Sequence, residues 1–267
     1  MDPRIFCPIP RGVFEFKWTE GFGATIYSLL TRLEHCLVRK YYFSMSEPLG
    51  FGHWTDFFKP FWDHARKEKF HHTLPKVPNT NPRLVIYKEH VQGYNEKNGK
   101  NIFFLKDYKY MLDKIYHYRD DIQQEIENII QSKHLPENYS CIHIRRGDRT
   151  NHGKCPCKSE VPEYIEALRK LDPNPECVFI ATDDERIIQE VKEHLPDIKT
   201  LSQTEQQGFD HNTFFSTPYT EKRNIYLQLF AEIEIATRSK YFIGTYCSVL
   251  SHLMQARHGL ENSTLVY

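Results

Sequence analysis

Neither sign of charge is in excess in this sequence: 35 Lys and Arg residues balance 35 Asp and Glu. A chain without net charge has no general attraction for nucleic acid or an anionic membrane, so any anion it holds must be met by a local site. Long apolar runs are missing too. Nothing approaches the stretch of about 18 residues that a membrane-crossing helix needs. The opening residues, MDPRIFCPIPRG, have neither the basic start nor the continuous apolar segment of a secretory leader. The expectation is a cytoplasmic or intracellular protein without stable membrane insertion. Cysteine is sparse and scattered: Cys7, Cys36, Cys141, Cys155, Cys157, Cys177 and Cys247 form an odd set without regular spacing, which argues against a disulfide framework. Cys155 and Cys157, with His152 nearby, fall short of the four ligands of a structural zinc, and no metal is expected. Internal repeats and low-complexity tracts are absent as well. The sequons at Asn138 and Asn262 carry little weight, because the first runs straight into a strand.

What is present is ample apolar material for a core, at 40% of 267 residues. In the C-terminal half, short β-rich apolar runs alternate with helical periodicity, as in successive βαβ units. Strands are predicted at Tyr139 to Ile144, Cys177 to Ala181, Ile198 to Leu201, Tyr241 to Gly244 and Thr264 to Val266. Helices are predicted at Pro162 to Leu171, Glu185 to Leu195, Glu221 to Arg238 and Val249 to Arg257. The fold class is α/β with a doubly wound parallel sheet. The N-terminal half is aromatic-rich and less regular, with helices predicted at Thr25 to Arg39, Tyr108 to Tyr116 and Asp121 to Ser132, and a strand at Leu84 to Tyr87. The domain boundary is placed between these halves, giving domains 1–134 and 135–267.

Open parallel sheets bind ligands beyond the carboxyl ends of their strands, where loops diverge and helices present free N–H groups. Three candidate clusters fall there. Arg145, Arg146 and Asp148 follow the first strand, Thr182, Asp183 and Asp184 follow the second, and Thr245 to Ser248 follow the fourth. Two adjacent guanidinium forks suit a diphosphate; an arginine pair bridged to Asp148, Asp183 or Asp184 is the structural alternative. Period-two alternation turns His143 to the side of Arg145. Thr182 or Asp183 reads as a helix cap, with fixing Arg145 or Arg146 as a second task. Ser248 reads as an N-cap whose hydroxyl also suits a phosphate. Gly21-Phe22-Gly23, ahead of the first helix, could bring backbone N–H groups close to an anion. The tripeptide Arg146-Gly147-Asp148 matches an adhesion motif, but it abuts a core strand instead of standing in an exposed loop.

Six segments in order resemble the α1,6-fucosyltransferases and related GDP-fucose-dependent enzymes: GFGATIYSLLTRL (21–33), WTDFFKPFW (54–62), HIRRGD (143–148), ATDDERIIQEVKE (181–193), YTEKRN (219–224) and YFIGTYCSVLSHLM (241–254). The resemblance spans most of the chain. It implies a GT-B fold of two Rossmann-like domains facing across a cleft, and inverting, metal-independent transfer of fucose from GDP-fucose, with no cofactor. The acceptor it implies is an oligosaccharide or glycoprotein. Arg145 would bind the β-phosphate, His143 would lie beside the nucleoside, and Ser248 would meet the diphosphate. Arg146, Asp184, Thr245 and Val249 complete the donor set on the C-terminal side, with Gly21, Phe22 and Gly23 reaching the phosphates from the other domain. Glu232 aligns with an aspartate that holds guanine, and Arg145, Asp148 and Glu160 form the catalytic set.

The match departs from the family at three places. Arg149 stands where the family has a lysine, and the loop TNHGKCPCKSE differs in length, leaving Glu160 or His152 as the base. Arginine does not give up its proton as lysine can, so the family's base relay is not copied literally. Glutamate for aspartate at position 232 lengthens the arm toward the purine.

Overall fold

Val13–Phe16 (β1) and Tyr42–Met45 (β2) lie side by side in parallel, joined through helix Phe22–Arg39 (α1). Neither four-residue strand stands out in the sequence, since each is set among other aromatic and basic residues. The computed structural model describes residues 13–16, 21–39, 42–45, 49, 51–61, 109–146, 160–203, 214 and 217–267. The strand expected at Leu84 to Tyr87 lies outside them. Helix α1 is buried around most of its circumference: Ile26, Leu29, Leu30 and Leu33 are packed away, as are Thr25, Ser28 and Arg32. It begins three residues before the expected Thr25.

The short helix Trp54–Phe57 (α2) anchors an aromatic cluster. Trp54 stacks on Phe58 at 4.4 Å between centroids, and Phe58 stacks on Phe22 at 6.0 Å and on Tyr118 at 5.1 Å. Helix Lys109–Ile115 (α3) leads to Tyr116, whose hydroxyl meets that of Tyr118 at 2.9 Å. Large flat side chains supply most of the buried area here, which is why the segment shows neither a helical nor a strand period.

The chain divides into two units between Arg119 and Asp120, ahead of helix Asp120–Ser132 (α4) instead of after residue 134. The helix belongs with the second unit for a physical reason. It buries Ile122 and Ile126 and packs on helix Tyr219–Arg238 (α7). Arg223 donates to Glu125 at 2.9 and 2.5 Å, and Arg238 to Glu127 at 2.8 Å.

The second unit holds a five-stranded parallel sheet: Ser140–Ile144 (β3), Cys177–Thr182 (β4), Lys199–Ser202 (β5), Tyr241–Thr245 (β6) and Ser263–Val266 (β7), in the order β5-β4-β3-β6-β7. Helices Val161–Leu171 (α5), Arg186–His194 (α6) and Val249–His258 (α8), with α7, form the crossovers. Ile142 and Ile144 of β3 share one core with Val178, Ile180, Ile243 and the apolar faces of α5 and α6. Strand alternation sends Cys141 and His143 to the opposite face, where His143 meets α8. Among the described residues, no helix is long and apolar enough to cross a membrane.

Candidate functional site

The winding of the sheet reverses between β3 and β6, which are hydrogen-bonded neighbours although 96 residues lie between their ends: from β3 the chain steps outward to β4 and β5, then returns to β6 and β7. Loops after these two strands must diverge, and the gap they leave is the natural ligand position of such a sheet. The described residues of three sequence-predicted clusters converge there.

Thr245 fastens the two strand ends together. Its hydroxyl donates to the carbonyl of His143 at 3.1 Å and accepts the backbone N–H of Arg145 at 3.0 Å. With its one proton committed, it accepts again from the hydroxyl of Tyr164, at 2.7 Å. Arg145 is therefore held by its backbone at the mouth of the sheet.

The side chains of both arginines are met by carboxylates. Asp183 accepts from the Arg145 guanidinium and takes the Arg146 backbone N–H at 2.9 Å. Arg146 donates to Glu190 at 2.8 and 3.0 Å and to Glu160 at 3.1 Å. Asp183 thus performs the second of its two expected tasks and not the first, because the helix N-cap is Glu185, which makes no side-chain cap bond. Thr182 does not cap either; its hydroxyl donates to the carbonyl of Ile144 at 2.8 Å and ties β4 to β3. Asp184 is buried and committed to Arg186, accepting its backbone N–H at 3.1 Å and its Nε–H at 2.8 Å. The Arg186 hydrogen bonds hold the Asp184 carboxyl below its ordinary range. Glu160 opens α5 in a capping box with Glu163, and is 71% exposed.

Beneath the mouth, His143 is 3% exposed and its Nδ1 stands 2.5 Å from Ser251 Oγ. Burial, with the nearby Arg145 charge, pushes its pKa down to about 3, so the imidazole is neutral. Ser248 caps α8, accepting the Ser251 N–H at 3.4 Å, as its position before a helix suggested; Val249 is the first helical residue. Glu232, on α7, is half-buried, and among the described residues no hydrogen bond or ion pair reaches it. Burial pushes its carboxyl up to about 8; Asp183 pushes in the same direction and Lys133 opposes.

Other expectations stand apart from this cluster. Asp148, Arg149 and His152 lie outside the described residues, as do Cys155 and Cys157. Phe22 and Gly23 are not a loop but the first turn of α1, and the Phe22 ring is buried in the aromatic cluster. Gly21 precedes the helix, and a Cβ there would meet nothing within 4 Å. Among the described residues, no three metal-ligating side chains stand together. Cys36, Cys141 and Cys177 are free thiols, whereas Cys247 is disulfide-bonded. Tyr164 and Ser251 were not foreseen; the only sign of Ser251 in the sequence is a small polar residue one turn into α8.

The architecture of the chain is that of fucosyltransferase structures. The crystal structure of NodZ α1,6-fucosyltransferase soaked with GDP-fucose aligns with a TM-score of 0.55, covering 93% of this chain and 92% of that one at 14% identity. NodZ from Bradyrhizobium aligns with a TM-score of 0.54 over 92% of both chains at 13% identity. POFUT1 in complex with GDP-fucose aligns with a TM-score of 0.53, covering 97% and 98% at 13% identity. No family model matches the chain, and no characterised protein matches it in sequence. The likeness at these identities is one of fold.

Proposed function

We propose that the protein is an inverting, metal-independent glycosyltransferase that moves fucose from GDP-fucose to a glycan acceptor, with its two units arranged as the Rossmann-like halves of a GT-B fold. The observation that carries this reading is the fixing of Arg145 at the switch point, with its backbone on Thr245 and its guanidinium beside Asp183. The solved fucosyltransferases of the same fold, captured with GDP-fucose, support it.

The chemistry follows from charge. Transfer breaks the bond between the sugar C1 and a β-phosphate oxygen and forms one between C1 and the acceptor oxygen, while the acceptor hydroxyl passes its proton to a base. Positive charge spreads over the sugar ring as negative charge gathers on the β-phosphate. A guanidinium and fixed N–H donors aimed at that oxygen stabilise the transition state more than the ground state. In this reading Arg145 leaves Asp183 for the diphosphate, Ser248 contributes at the start of α8, and Glu160 takes the acceptor proton. An ionised Glu232 accepts the two parallel N–H groups of a guanine edge, a pattern uracil lacks.

A second reading of the same donor site has a protein serine or threonine hydroxyl as acceptor. Incubation with labelled GDP-fucose and a panel of oligosaccharides, glycopeptides and folded protein acceptors separates the two. Transfer to any acceptor supports the proposal. Binding of GDP with neither transfer nor donor hydrolysis across the panel would show a non-catalytic nucleotide-binding protein instead.

A further inference from the structure

Three buried polar side chains lie directly under the arginines: His143, Thr245 and Ser251, each within hydrogen-bonding reach of another. Ser251 is fully buried, so its single hydroxyl proton must find an acceptor inside the protein. Its oxygen already accepts the backbone N–H of Thr245 at 2.9 Å. Among the described residues, the one acceptor that hydroxyl reaches is Nδ1 of His143, at 2.5 Å. A proton on Nδ1 would leave the serine proton facing another proton, with nothing else to receive it. The imidazole proton therefore sits on Nε2, and Nε2 has no hydrogen-bond partner among the described residues.

The position of Ser251 has its own cause, independent of this accounting. A Cβ on Gly244 would lie 2.8 Å from the Ser251 Cβ and 2.8 Å from Leu265 Cδ2. Only glycine on β6 lets the first turn of α8 come this close, and Ser248 fixes where that turn begins.

We propose that Ser251 is a positioning residue, one that locks His143 as the neutral Nε2–H tautomer. The ring then serves the nucleotide site solely as a hydrogen-bond donor. It is not available as a proton acceptor at that edge. The partner class this selects is an acceptor atom of the bound nucleotide, a phosphate, ribose or base oxygen or a ring nitrogen; that part rests on the GDP-sugar reading above. The depressed pKa of the ring is in keeping with this, since protonation would place a second N–H against Ser251 and a positive charge near Arg145.

Long-range 1H–15N correlation spectra of the 15N-labelled, nucleotide-free protein test the proposal, with His143 assigned by its loss in His143→Gln. The expected pattern is a pyrrole-like Nε2 and a pyridine-like Nδ1, unchanged from about pH 5 to pH 8. In Ser251→Ala the His143 signals should move to a tautomer mixture, Ser251→Thr should restore them, and GDP should bind Ser251→Ala about tenfold more weakly. A pyrrole-like Nδ1 in the unmodified protein would overturn the proposal whether or not the variants fold, and so would a folded Ser251→Ala with an unaltered tautomer. If GDP binds to no form while the tautomer pattern holds, the nucleotide reading fails and the role of Ser251 in fixing the ring stands.

Discussion

Asp183 meets Arg145 at the end of β3, and the same carboxylate takes the backbone N–H of the next residue, Arg146, at 2.9 Å. One acid thus sets both the direction of the guanidinium and the path of the chain that carries it. It also occupies the place on Arg145 that a diphosphate would take. Partly buried charge-assisted bonds of this kind contribute about 1.5–3 kcal/mol. The Asp183→Ala variant should lose about that much stability in urea unfolding, whereas Asp183→Asn, which keeps the acceptor for Arg146 N–H, should lose less. Equal losses in the two variants would show that the Arg146 bond is unimportant.

Arg145→Ala should abolish transfer and leave the fold intact, because Thr245 holds the backbone at this position and not the side chain. Arg145→Lys should recover little, since an ammonium cannot present two parallel N–H groups to a phosphate. Steady-state turnover with circular dichroism as the fold control decides the matter; near-normal turnover in Arg145→Ala would remove the residue from the mechanism.

In the guanine-binding role proposed for it, Glu232 should make GDP affinity depend on pH in one direction. Its carboxyl is raised to about 8 by burial first and by Asp183 second, so it carries a proton at neutral pH and must lose it to accept two guanine N–H groups. Affinity should rise as pH climbs from about 6 toward 8, with one proton released on binding. Titration calorimetry in buffers of different ionisation enthalpy reads that proton. The free protein responds in the opposite sense. Its folded state holds the Glu232 proton more tightly than the unfolded chain, so the contribution to stability is complete below the ordinary value of 4.5 and is lost as pH rises through about 8. Glu232→Gln should flatten both profiles, and Asp183→Asn should move them to lower pH.

Gly244→Ala places a methyl 2.8 Å from atoms of Ser251 and Leu265. Overpacking of that kind costs about 1–3 kcal/mol, and here the strain falls on the contact that orients His143. Thermal unfolding should show the loss, together with weakened GDP binding. A variant within about 0.5 kcal/mol of the parent would mean that α8 can step away from β6 freely.

The second unit was legible in the sequence because parallel strands buried on both faces read as short apolar runs, and the helices between them keep one polar side. CVFIA and YFIG are such runs, and both became strands. The first unit was harder to read for the same physical reason in reverse. Its core is built from aromatic rings in irregular segments such as Trp54, Phe58 and Tyr118, which leave no period. Gly21-Phe22-Gly23 resembled a loop because two glycines hid a helix start whose stability comes from burying the Phe22 ring. The positions of Arg145, His143 and Thr245 at strand ends, and of Ser248 before a helix, could be read from the sequence. Asp183 was ambiguous, since an acid before a helix signals a cap and only the folded chain shows it turned to the arginines. Ser251 was out of reach: its partner His143 is 108 residues away, and nothing local marks the contact.

A GDP-sugar site at the switch point between β3 and β6 should show itself in the thermal stabilisation of the protein by GDP, GDP-fucose, GDP-mannose and UDP at equal concentrations. A ligand that binds the native state raises its stability in step with affinity. GDP and GDP-fucose should stabilise the protein, UDP should do little, and the effect should be lost in Arg145→Ala. Equal stabilisation by UDP and GDP, or an undiminished shift in Arg145→Ala, would rule out a GDP-sugar site there.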